Sequence, residues 1–101
     1  MTLDETLAAL EREWDCDGFL DHVRRGVFER HEGEEFLALI KAINIDDEAL
    51  VPKRMLSLVW YLPSFLEWQR ERVQEVCGRK AEYDRFLTEV QNAMEDVFGV
   101  P

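Results

Sequence analysis

Asp15-x-Asp17-Gly18, with Asp21 close behind, sets three carboxylates around a glycine, the residue types of a calcium loop. Such a loop needs oxygen ligands at positions 1, 3 and 5, glycine at 6 and glutamate at 12. Counted from Asp15, the last three of these are Phe19, Leu20 and Gly26, none of which can ligate through a side-chain oxygen. Asp15 and Asp17 are therefore read as caps for a following helix. His22 and His31 are the only histidines, and neither belongs to an HExxH or a Glu-x-x-His pair. Cys16 and Cys77 form no CxxC, and Cys16 and His22 do not share one helix face. The expectation is a protein without catalytic residues, metal or cofactor.

The remaining chemistry is charge. Residues 1–50 hold fourteen acids against five Lys/Arg, a net of −9, whereas residues 51–101 are close to balance at −1. Ten of these acids fall in three runs: Asp15, Asp17 and Asp21; Glu29, Glu32, Glu34 and Glu35; and Asp46, Asp47 and Glu48. Helix caps use one or two acids each, so the surplus is expected to form a binding face. In the second half Arg70, Arg72, Arg79, Lys80 and Arg85 alternate with Glu67, Glu71, Glu75, Glu82, Asp84 and Glu89. That alternation gives i,i+4 pairs on a solvated face rather than a phosphate-binding patch. With a pI near 4.6, nucleic acid and anionic membrane are not expected partners; a basic protein is.

Helical spacing runs the length of the chain. Leu3, Leu7, Leu10 and Trp14 make one stripe, opened by a Thr2–Glu5 capping box. A short second helix carries Phe19, Leu20 and Val23 and ends at Arg24-Arg25-Gly26. A third is expected from about Gly33 through Phe36, Leu37, Ile40 and Ile43, with Glu34 and Glu35 in its first turn. Pro52 opens a fourth, Pro63 interrupts it, and Ser64 with Glu67 reads as a second capping box. A fifth runs to Gly78, and the last places Tyr83, Leu87, Val90, Met94 and Val97 on one face. Trp60, Phe65 and Trp68 are assigned to the core, whereas Tyr61, about 100° round the helix from Trp60, is expected at the surface and in the binding face. The predicted fold is all-α, a single domain of five or six mostly short helices spanning 1–101. No signal-peptide pattern opens the chain, and two isolated cysteines fit a reducing compartment, so a cytoplasmic protein is expected.

Trp14-Asp15-Cys16-Asp17-Gly18-Phe19-Leu20, running into Val23-Arg24-Arg25-Gly26-Val27-Phe28, resembles the opening of small bacterial immunity proteins that protect against secreted toxins. The segment Leu58-Val59-Trp60-Tyr61-Leu62-Pro63-Ser64-Phe65 is similar in kind. The resemblance, which includes proteins of contact-dependent growth inhibition systems, implies an acidic cytoplasmic inhibitor that occludes a basic toxin domain. Nuclease toxins bind phosphate and are basic, so an acidic inhibitor is steered to them. The rival reading is a helical adaptor or regulatory subunit that grips its partner through an apolar groove.

Overall fold

Thr2 and Glu5 close the capping box that their spacing predicts. Glu5 N donates to Thr2 Oγ1 at 3.2 Å, and Thr2 N donates to Glu5 Oε1 at 3.1 Å. They open α1 (Leu3–Trp14) in this computed structural model, which describes residues 2–101. Six more helices follow: α2 (Phe19–Arg24), α3 (Arg30–Lys41), α4 (Lys53–Val59), α5 (Leu62–Trp68), α6 (Arg70–Cys77) and α7 (Lys80–Phe98). No strand occurs among the described residues, so the all-α expectation holds. The helix count exceeds the expected five or six because the segment leading to Gly78 breaks at Gln69. There Gln69 N bonds to the Leu66 carbonyl in a tightened turn, and Val73 N restarts the ladder on the Gln69 carbonyl.

Local chemistry moves several helix starts. Gly18, not Asp15 or Asp17, is the N-cap of α2. A Cβ at Gly18 would lie 2.3 Å from the Arg12 carbonyl oxygen, so only glycine lets α2 turn so tightly off α1. Arg24-Arg25-Gly26 ends α2 as expected: Gly26 has φ +87°, and Val27 N returns to the His22 carbonyl at 2.9 Å. α3 starts a turn before Gly33 because Glu29 caps it, its two oxygens accepting from His31 N and Glu32 N. Glu34 and Glu35 therefore lie in the second turn, not the first. Pro63 sits at a boundary as predicted, in the second position of α5. Ser64 is inside that helix and caps nothing, so the second capping box does not form.

One cluster of buried side chains joins all seven helices. α3 and α7 make its most extensive contact and run side by side in the same direction. Arg30 and Glu34 border Glu82 and Phe86 at one end, and Lys41 and Ile43 border Ala93 and Val97 at the other. Four rings, Phe19, Phe28, Phe36 and Phe86, pack between α2, α3 and α7 with centroids 5.1–6.4 Å apart. On α7 the buried stripe is Tyr83, Phe86, Val90 and Ala93. Leu87, Met94 and Val97 are only half-buried, so the stripe is turned from its predicted setting. The described helices include none long and apolar enough to cross a membrane.

Candidate partner-binding surface

The acidic runs meet different fates. Asp17 lies in the turn before α2 with φ +62°, where its N donates to Asp21 Oδ2. Arg25 Nη2 reaches Asp17 Oδ1 at 3.2 Å and Asp21 Oδ2 at 3.1 Å, and Arg24 approaches Asp21 at 3.5 Å. Cys16, Asp17 and Asp21 bring ligand atoms within 4.8 Å of one another, but the Arg25 guanidinium already sits on both carboxylates. Asp15 is exposed and accepts from Cys16 N at 3.0 Å. The first run is thus largely matched by cations from its own helix.

The second run is matched as well. Glu29 spends its carboxylate on the end of α3, where the N–H groups of His31 and then Glu32 hold its carboxyl below the usual value. Glu32 faces His22 Nδ1 at 3.1 Å, Glu34 pairs with Arg30 Nε at 3.1 Å, and Glu35 meets His31 Nε2 at 3.0 Å. Glu13, which sequence reasoning passed over, joins this group from α1. Burial, and then the Glu32 and Glu35 carboxylates, push its carboxyl above the usual value. Its place beside Trp14, at the edge of the Leu3–Trp14 stripe, was the available signal for it.

Asp46, Asp47 and Glu48 stand apart from both runs. They occupy the loop between α3 and α4, are exposed, and make no ion pair among the described residues. The α3 helix, about 18 Å long at 1.5 Å per residue, separates them from Glu29. Asp47 shares a shallow groove with Lys41 and Asp96, so the charge-balanced half of the chain adds a carboxylate at this end. Two residues on, Leu50 is 95% exposed. The ten acids therefore fall into two groups: a mostly paired one around the starts of α2 and α3, and an unpaired trio beyond the end of α3.

Of the aromatics assigned to the core, only Phe65 is buried. Trp60 and Trp68, assigned to the core, are 64% and 65% exposed, and Tyr61 is half-buried between them. The Tyr61 ring lies 5.5 Å from Trp60, 5.6 Å from Trp68 and 6.5 Å from Trp14. Trp14 takes the inner place instead, edge-on to Phe65 at 5.0 Å, with Nε1 donating to the Leu58 carbonyl at 3.0 Å. The reason is helical phase: Trp60 keeps helical backbone and its N–H bonds to the Leu56 carbonyl, so it shares the exposed face of Leu56 rather than the face that Met55 and Val59 bury. No protein-family model, no curated protein and no solved structure matches this chain.

Proposed function

We propose that this chain is an immunity protein that binds and neutralises a basic toxin domain of the nuclease kind. The observation that carries the reading is the Asp46-Asp47-Glu48 trio: exposed, unpaired among the described residues, and followed by the almost fully exposed Leu50. Carboxylates already held by Arg25, Arg30 or the α3 backbone would have to break those bonds to serve a partner. The trio has nothing to break. Its carboxylates suit a cleft built for phosphates, and Leu50 supplies an apolar anchor beside them. The net charge of −10 steers the encounter before contact is made.

The test is protection. Cells that express the chain should survive a cognate basic toxin, and the Asp46→Lys/Asp47→Lys variant should protect poorly while folding normally. A wild-type chain that protects against no such toxin would sink the reading. Equal protection by wild type and variant would remove the trio from it.

A further inference from the structure

Leu56, Trp60, Tyr61 and Trp68 make an apolar strip on the outer side of α4 and α5. Leu56, 52% exposed, lies one helical turn before Trp60, whose N–H bonds to the Leu56 carbonyl. The aromatic rings continue the strip at 5.5 and 5.6 Å. With each tryptophan nearly two-thirds exposed, the strip leaves roughly 450 Å² of apolar surface in water. That is as large as the largest patch on a typical monomer.

Glu67, the exposed acid next to Trp68, is already paired with Arg70 at 2.9 Å. Lys53 stands at its α4 end and Glu71 beyond Trp68 at the other, and neither has an ion-pair partner among the described residues. A surface with opposite charges at its two ends matches itself when turned through 180°.

We propose that this strip pairs with the same strip of a second copy, antiparallel about a two-fold axis, so that each Lys53 faces the other copy's Glu71. Two strips offer at most about 900 Å² of apolar surface, below the ~1,200 Å² at which stable specific interfaces begin and within the range of weak, transient ones. The product is a weak, reversible dimer. The strip and its flanking charges share no residue with the Asp46-Asp47-Glu48 trio, so the proposal does not rest on the immunity reading.

Salt gives the dimer a signature. Two copies of charge −10 repel at a distance, and added salt screens that repulsion while leaving apolar contact intact. Sedimentation equilibrium of the purified chain, over a range of protein and sodium chloride concentrations, should show a monomer–dimer equilibrium that tightens with salt. Trp60→Ser/Trp68→Ser should weaken the dimer by at least ~30-fold, the loss expected on removing hot-spot aromatics. Should that variant fail to fold, the charges decide: Lys53→Glu or Glu71→Lys alone should weaken the dimer, and the two together should restore it. A monomer at every concentration overturns the proposal and leaves the strip to a different protein. So does a dimer indifferent to the tryptophan or charge variants, or one that salt dissolves.

Discussion

The Tyr83 hydroxyl donates to the Leu66 carbonyl at 2.6 Å from a side chain with no exposed surface, tying α7 to α5. Tyr83→Phe keeps the ring and removes the bond, and should cost about 1 kcal/mol, read as a lower urea midpoint with an unchanged slope. Burial raises the Tyr83 phenol above its usual value, so the folded chain favours the protonated form more than the unfolded chain does. That contribution is whole below the unfolded value of about 10 and is lost as pH rises beyond it. Wild-type stability should therefore fall above pH ~10 more steeply than that of Tyr83→Phe. Tyr83 was legible as the head of the α7 stripe. Trp60 was not, because α4 is apolar on two faces, Met55–Val59 and Leu56–Trp60, and only packing decides which of them turns inward.

Two capping boxes with the same sequence signature, Thr2–Glu5 and Ser64–Glu67, separate what an element's sequence declares from what its neighbours decide. At Thr2 the backbone is extended, φ −77° and ψ 164°, as a capping residue requires. Before Ser64 the chain never leaves the helical region, since Tyr61 has φ −83° and ψ −18°, and Phe65 N bonds back to the Tyr61 carbonyl. Ser64 thus lies within α5. Thr2→Ala should lower stability by about 1 kcal/mol, and Ser64→Ala should leave it unchanged or raise it by up to ~0.5 kcal/mol, since alanine is the better helix former. Thermal melts of the two variants check this directly, and equal losses would contradict it. Hydrophobic spacing located most helices because burial follows a period of 3.6 residues. The starts of α2 and α3 were less legible: one rests on a backbone approach at Gly18 and the other on a glutamate cap, and neither has a periodic trace.

Across the whole molecule the −9 and −1 halves were plain in the sequence, but which acids remain unpaired was not. Glu32 with His22 joins α3 to α2, and Glu13 with Glu32 and Glu35 adds α1, contacts that only the packed chain creates. The paired and unpaired groups should behave differently toward a basic partner. Asp46→Lys/Asp47→Lys should slow association by about tenfold or more and flatten its salt dependence. Glu34→Lys/Glu35→Lys should do less to binding and more to stability, because it sets a like charge against Arg30 and breaks the contact with His31. Stopped-flow association across a salt series, with melts of each variant, distinguishes the two. A larger rate loss from the Glu34/Glu35 pair would return the binding face to α3.

The parallel course of α3 and α7 reaches into the birth of the protein. As the chain leaves the ribosome, α3 emerges about forty residues before the start of the helix that covers it. Until α7 arrives, Phe28 and Phe36 lack Phe86, and α5 lacks its tie to Tyr83. Helices α1 to α6 can form early, yet the core cannot close around them, and their phenylalanines stay open to chaperones or to other nascent chains. Nascent chains stalled with α7 still in the exit tunnel should accordingly be protease-sensitive throughout, with protection gained in a single step once α7 is out.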